Sequence, residues 1–141
     1  MKPETKYWRS RVKQALDTMK NILYNRVESG TTSGGIPDLS YSCPTGHGWI
    51  ELKIGHVKRD KMNTPTMNSV QSNWLKTRGD LSGKVFILVQ FEGVEYLYKH
   101  DMGKALKIGV PVDGPGACHI LTSRGLTKDE WVTRLNRILT E

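Results

Sequence analysis

Three side chains in two short runs, two carboxylates and an ammonium, are of the types that could gather around a divalent cation and its water. Asp38 stands in the run Ile36 to Tyr41, and Glu51 and Lys53 stand in the run Trp49 to Ile54. A Pro/Gly-rich turn separates the runs, so a β-hairpin is predicted. Side chains alternate between the two faces of a strand. Ile50, Leu52 and Ile54 then point toward a core, and Trp49, Glu51 and Lys53 point the other way. Ile36, Asp38 and Ser40 likewise share a face opposite Leu39 and Tyr41. One register sets Asp38 near Glu51 and Lys53, and two carboxylates with an ammonium so gathered would hold a cation and a water. The plainer alternative is a surface strand with one charged face, the common fate of a lone E-x-K.

The elements that must position this hairpin are legible by periodicity. Trp8, Val12, Leu16, Met19, Leu23 and Val27 recur at helical spacing, predicting an amphipathic helix, or a helix that runs into a strand near Tyr24. Glu28 follows that segment, and SGTTSGG (29–35) reads as a loop. After the hairpin, the stretch 56–68 is polar and basic and reads as a loop. Its Lys58, Arg59 and Lys61 are the candidate phosphate contacts, with an exposed loop as the alternative. Asn68 or Ser69 caps a helix to about Thr77, with Val70, Trp74 and Leu75 on its apolar side and a break at Gly79 to Gly83. Residues 84–91, KVFILVQF, are the plainest strand and read as central. Glu92-Gly93 then turns into a second hairpin strand, 94–98. A short helix is expected near Met102 to Leu106 and a loop at 109–116. A capping box at Thr127 and Glu130 opens a terminal helix, about 127–140. The succession helix, hairpin, helix, hairpin, helix implies an α/β sandwich. Trp8, Trp74 and Trp131 fall on apolar stripes and are expected in the core, and Trp49 to pack although it shares the acids' face.

Length and charge bound the function. A chain of 141 residues is expected to form one domain with a single core. No apolar run approaches the length of a membrane span, and the N-terminus lacks a signal-peptide core, so a cytoplasmic protein is expected. Two cysteines, Cys43 and Cys118, are too few for a disulfide scaffold. A Cys43/His47/Cys118/His119 zinc site can be drawn, but its spacing is not that of a zinc finger. The net charge is +7, from 21 Lys and Arg against 14 Asp and Glu. Setting Glu28, Asp38 and Glu51 aside as metal ligands leaves 21 against 11, or +10. That excess suits a polyanionic partner, because Lys and Arg displace counterions from phosphates.

The segments RVESG (26–30), SGGIPDLSY (33–41), GWIELK (48–53), VQSNWL (70–75) and GKVFILVQ (83–90), in this order, resemble the PD-(D/E)XK nuclease superfamily. Within it they are most similar to the VRR-NUC group, many of whose small members come from bacteriophages. The resemblance covers about residues 7–98, and the tail from about Met102 carries no matching motif. It implies a restriction-endonuclease-like core, a mixed β-sheet flanked by helices, with divalent-metal dependence and phosphodiester cleavage. Carried over residue by residue, Asp38 and Glu51 match the metal-binding acids and Lys53 the lysine beside the attacked phosphate. Glu28 matches an acid at the end of the preceding segment, and Gln71 a glutamine on the helix after the E-x-K strand.

Such chemistry needs oxygen ligands for Mg²⁺ or Mn²⁺, and Asp38, Glu51, the Leu52 carbonyl and Glu28 can supply them. The cation lowers the pKa of a water and offsets charge on the phosphate. Lys53 orients the water, stabilises charge or acts as base, and these roles stay open. Glu28 as a surface ion-pair partner of Arg26, and Gln71 as a structural amide, are the alternatives. The expected function is a metal-dependent DNA endonuclease, structure-specific by analogy with small nucleases that resolve branched DNA such as Holliday junctions. Two symmetric cuts would need a C2 homodimer, and a phage-encoded enzyme would act in the host cytoplasm. Alternatives are a nicking or restriction-like nuclease on duplex or flap DNA, and a non-catalytic DNA-binding module on a nuclease fold.

Overall fold

The computed structural model describes residues 3–27 and 35–141. Glu28 and most of the SGTTSGG loop lie outside the described residues. The N-terminal apolar period builds one continuous helical segment: α1 (Pro3–Tyr7), a π-helical turn (Trp8–Val12) and α2 (Lys13–Asp17). Trp8, Val12 and Leu16 are buried as the spacing requires. Of the two alternatives, helix into strand is the one found, because β1 (Leu23–Arg26) follows. Leu23, expected on the helical stripe, is 79% exposed, and Ile22 takes the buried place before the strand. The helical period ends at Met19, so a count carried past it lands on the wrong side of the chain.

The hairpin forms from β2 (Leu39–Cys43) and β3 (Gly46–Ile54), paired antiparallel with Leu39 opposite Ile50 and Tyr41 opposite Gly48. Residues 36–38 precede the strand rather than belonging to it. Gly48 is required by packing, since a Cβ there would come within 2.3 Å of the Tyr41 ring. Tyr41 uses that space to donate its hydroxyl to the Leu139 carbonyl at 2.8 Å.

After β3 the chain makes β4 (His56–Lys58) and β5 (Lys61–Asn63), a hairpin where a loop was expected. Its two turn residues, Arg59 and Asp60, have φ of 53° and 63°, the backbone of a two-residue turn that the sequence, lacking a glycine there, does not announce. Helix α3 (Ser69–Ser82) is longer than its expected end at Thr77. Gly79 lies inside it rather than breaking it, because His100 packs where a Cβ would stand, 1.9 Å away, and Gly83 at φ 75° forms the cap. Val70, placed on the apolar side by its spacing, is exposed in the first turn. The central strand β6 (Val85–Phe91) and β7 (Val94–Lys99) follow as expected. A 3₁₀ turn (His100–Met102), α4 (Gly103–Ile108), the two-residue strands β8 (Val110–Pro111) and β9 (Leu121–Thr122), and α5 (Lys128–Thr140) complete the chain. Strand β8, inside the expected loop 109–116, joins β5 and makes a small sheet in the order β4-β5-β8.

The main sheet has six strands in the order β1-β2-β3-β6-β7-β9, with β3 and β6 parallel and the other neighbours antiparallel. It is the mixed sheet flanked by helices that was expected. On one face Leu39, Tyr41, Ile50, Leu52, Leu88 and Leu97 pack with Trp8, Val12 and Leu16 and with Trp131, Leu135 and Leu139 of α5. On the other, Val85, Ile87, Val89, Tyr96 and Tyr98 pack with Leu75 of α3 and Leu106 of α4. Both faces are covered, so β3 carries apolar residues on one side and Glu51 and Lys53 under a helix layer on the other.

Candidate active site

The register Leu39 to Ile50 is the last β2–β3 pair, and it leaves the end of β3 unpaired on that side. Alternate residues of a strand send both backbone groups to the same side, so the N–H and carbonyl of Leu52 face where β2 would have continued. Asp38 fills that position. Its Oδ2 accepts from the Leu52 N–H at 2.8 Å, while its own carbonyl accepts from the Val27 N–H at 2.7 Å. The residue before the strand is thereby fixed at both ends.

Glu51 and Lys53 project together from β3, each 3% exposed. Lys53 Nζ lies 3.2 Å from Glu51 Oε2. It also donates to Gln71 Oε1 at 3.1 Å and to the Thr66 carbonyl at 3.3 Å. An ammonium has three donors, and all three have partners within the protein. Gln71 closes the set by donating through Nε2 to Glu51 Oε2 at 3.3 Å. The same glutamine is the third residue of α3, where its Oε1 accepts the Asn68 N–H at 3.2 Å and its own N–H donates to Asn68 Oδ1 at 2.9 Å. This is a capping box with Gln in the role of Glu. One side chain thus satisfies the helix end and hydrogen-bonds both charged groups of β3.

Electrostatics separate the two acids from ordinary carboxylates. Burial raises the pKa of Asp38, opposed by the Leu52 N–H and the Lys53 charge. Glu51 is pushed up to about 8, first by burial and then by the Asp38 charge, against the pull of Lys53. The buried Glu51 and the half-buried Asp38 thus lie beside one ammonium, with the Arg26 charge a smaller help to Asp38. The oxygens of Asp38, Glu51 and the Leu52 carbonyl are hard donors that suit Mg²⁺ or Mn²⁺, so the residues present fit such an ion.

Of the residues singled out by sequence, Asp38, Glu51, Leu52, Lys53 and Gln71 are brought together, and Glu28 lies outside the described residues. Lys58, Arg59 and Lys61 stand exposed at the tip of the β4–β5 hairpin. The zinc set is not assembled. Cys43 contacts the Leu139 carbonyl while His119 sits against Tyr96 and Tyr98, and among the described residues no three His, Cys, Asp or Glu side chains group as metal ligands. Trp49 packs edge-on against His47 and Trp74, as expected of it.

Glu4 was missed. It lies in the first turn of α1, its charge adds to the raising of Asp38, and its Oε1 accepts from Thr66 Oγ1 at 3.4 Å. The apolar period starts at Trp8, one turn too late to include it. The pair Pro3-Glu4, a proline and an acid at the start of a helix, was the available signal.

No family model matches the chain, and no curated protein matches it. Among solved structures it is similar to Hjc of Archaeoglobus fulgidus, a Holliday junction resolvase from an archaeal hyperthermophile, at 12% identity and a TM-score of 0.47, over 77% of this chain and 95% of that one.

Proposed function

We propose that this chain is a divalent-metal-dependent DNA nuclease of the PD-(D/E)XK kind, within or near the VRR-NUC group. It would hydrolyse phosphodiester bonds, with branched DNA such as a four-way junction as substrate. The observation that carries the reading is the pairing of half-buried Asp38 with buried Glu51, two neighbouring carboxyls with Lys53 the one ammonium in contact with Glu51. A fold gains nothing from a second carboxylate beside a buried one, because uncompensated charge in a low dielectric destabilises it. A site for a cation does gain.

Asp38, Glu51 and the Leu52 carbonyl would hold the ion, with Glu4 and Glu28 as further acids. The ion supplies Lewis acidity to the phosphate and acidity to a water. Lys53 is kept beside Glu51 by Gln71 and the Thr66 carbonyl, so its ammonium stands where charge develops on a phosphate oxygen. Gln71 positions Lys53 and Glu51 and, through the capping box, keeps α3 in place. Lys58, Arg59 and Lys61 are the proposed phosphate contacts away from the scissile bond. A junction would be cut symmetrically by a C2 homodimer.

Pure protein with Mg²⁺ or Mn²⁺ tests this on junction, flap, single-stranded and plain duplex DNA, beside Glu51→Ala. Metal-dependent cleavage by the wild type alone, strongest on the junction, is the expected result. Cleavage of plain duplex only would replace the junction by a nicking or restriction-like activity. No cleavage of any substrate would overturn the enzyme.

A further inference from the structure

The tail after β7 carries no motif, yet it is built against the flank of the site. Lys107 donates from Nζ to the Pro65 carbonyl, and Pro65 precedes Thr66, whose carbonyl holds Lys53. Lys104 lies one turn back on α4, on the same side of the helix as Lys107. At the same C-terminal end of α4, a Cβ on Gly109 would stand 3.5 Å from the Cβ of Lys61. Lys61 in turn pairs directly across the β4–β5 hairpin with Lys58, and Arg59 occupies the turn between them. Helix α4 and the β4–β5 hairpin together carry Lys104, Lys107, Lys58, Arg59 and Lys61, with Asp60 the acid among them.

Two features of this strip work against the fold. Like charges directly opposite on a hairpin repel, and Arg59 holds a positive φ that non-glycine residues seldom adopt. Among the described residues none of Lys58, Arg59, Lys61 and Lys104 makes an ion pair. The strip is nevertheless rigid at its root. Met62 and Leu106 are fully buried beneath it, the Thr64 N–H donates to the Leu106 carbonyl at 2.9 Å, and the Val112 N–H to the Asp60 carbonyl at 3.1 Å. The sheet β4-β5-β8 and α4 therefore present cations at fixed spacing where the fold alone would be better served by neutral residues.

We infer that α4 and the small sheet form one phosphate-tracking ridge, which takes the sugar-phosphate backbone of a DNA arm running away from the cut. The inference rests on the nuclease reading for the identity of its polyanion, and it gives the tail a role in substrate binding. Its ligands are Lys104 together with Lys58, Arg59 and Lys61, held as a unit by β8.

Binding of a junction and of plain duplex is measured in EDTA across a salt series, so that cleavage plays no part. The quadruple variant Lys58→Ala, Arg59→Ala, Lys61→Ala, Lys104→Ala is compared with a control that loses four cations elsewhere: Lys13→Ala, Lys76→Ala, Arg134→Ala, Arg137→Ala. Each phosphate contact contributes roughly 0.9 to the slope of log K against log salt. The ridge variant should lose about 3 in slope and at least roughly tenfold in affinity near 0.15 M salt, with the control losing less than about 1. Its melting temperature should not fall, since the opposed lysines repel. A slope equally reduced in both variants, or reduced in neither, overturns the ridge. DNA bound with the expected slope change but never cut with metal sinks the nuclease reading and leaves the ridge standing. Metal-dependent cleavage with no change in the variant's slope does the reverse.

Discussion

Two carboxylates are buried in the same sheet on opposite faces, and they are not alike. Glu95 on β7 is 3% exposed and pairs with Arg11 at 2.5 Å. Its neighbour Tyr7 and its own Oε2 have no hydrogen-bond partner among the described residues. Glu51 on β3 is equally buried and has two partners, Lys53 and Gln71. By hydrogen bonding, Glu51 is the better satisfied. By charge it is the worse, because burial first and the Asp38 charge second push its pKa to about 8 against the pull of Lys53. Glu95 has one cation of its own, and that pair ties the N-terminal helical segment to β7. Burial alone therefore does not mark a site. What sets Glu51 apart is the second carboxylate, Asp38, beside it.

The sharpest way to break this contrast is to neutralise each acid. Glu51→Ala should lower metal-dependent DNA cleavage by at least about 100-fold, since even an outer-shell partner of a metal is worth 10–100-fold. Glu95→Gln should leave cleavage within a few-fold and cost roughly 3 kcal/mol of stability in urea melts, the low end for breaking a buried pair because Arg11 is half in water. Equal loss of activity in both variants would mean that burial was the relevant property after all.

Glu51 should also govern how metal-free stability follows pH. Below about 4.5, its ordinary value, the Glu51 carboxyl is protonated in folded and unfolded chains alike. Between there and about 8 only the folded chain keeps the proton, so metal-free stability falls as pH rises through that window and levels off above it. The fall should be on the order of 2–4 kcal/mol. Glu51→Gln should remove most of it, and added Mg²⁺ should restore stability at pH 8 with release of a proton. Denaturant melts at pH 5, 6.5 and 8 measure this, and a slope unchanged in Glu51→Gln would contradict it.

Gln71 tests whether the site depends on its support. Gln71→Ala should weaken metal-dependent cleavage by about 10–100-fold. Asn68→Ala, which removes only the other half of the capping box, should cost about 1 kcal/mol of stability and little activity. The smallest effect is expected of Glu4. Glu4→Gln should reduce divalent-cation affinity by about tenfold or less, roughly 1.4 kcal/mol by titration calorimetry. A larger loss than that of Glu51→Ala would move the centre of the site onto α1.

The sequence by itself determined the local matters. Alternation put Ile50, Leu52 and Ile54 on one face of β3 and Glu51 and Lys53 on the other, and the match of Asp38 to Glu51 followed from one hairpin register. A cap at Asn68 or Ser69 and a capping box at Thr127 announced two helices, because the side chains that satisfy a helix end lie within three residues of it. Tertiary structure decided everything that depends on distant partners. Gly79 remains helical because His100, some twenty residues on, packs against it. The stretch 56–63 is a hairpin because β8 and α4, far along the chain, brace it and bury Met62. Glu4 belongs beside Asp38 because the N-terminal helix crosses the sheet at that point, and no local period records a crossing. The raised pKa of Glu51 is of the same kind: it depends on how deeply two strands and three helices enclose one carboxyl, and enclosure is a property of the packed molecule alone.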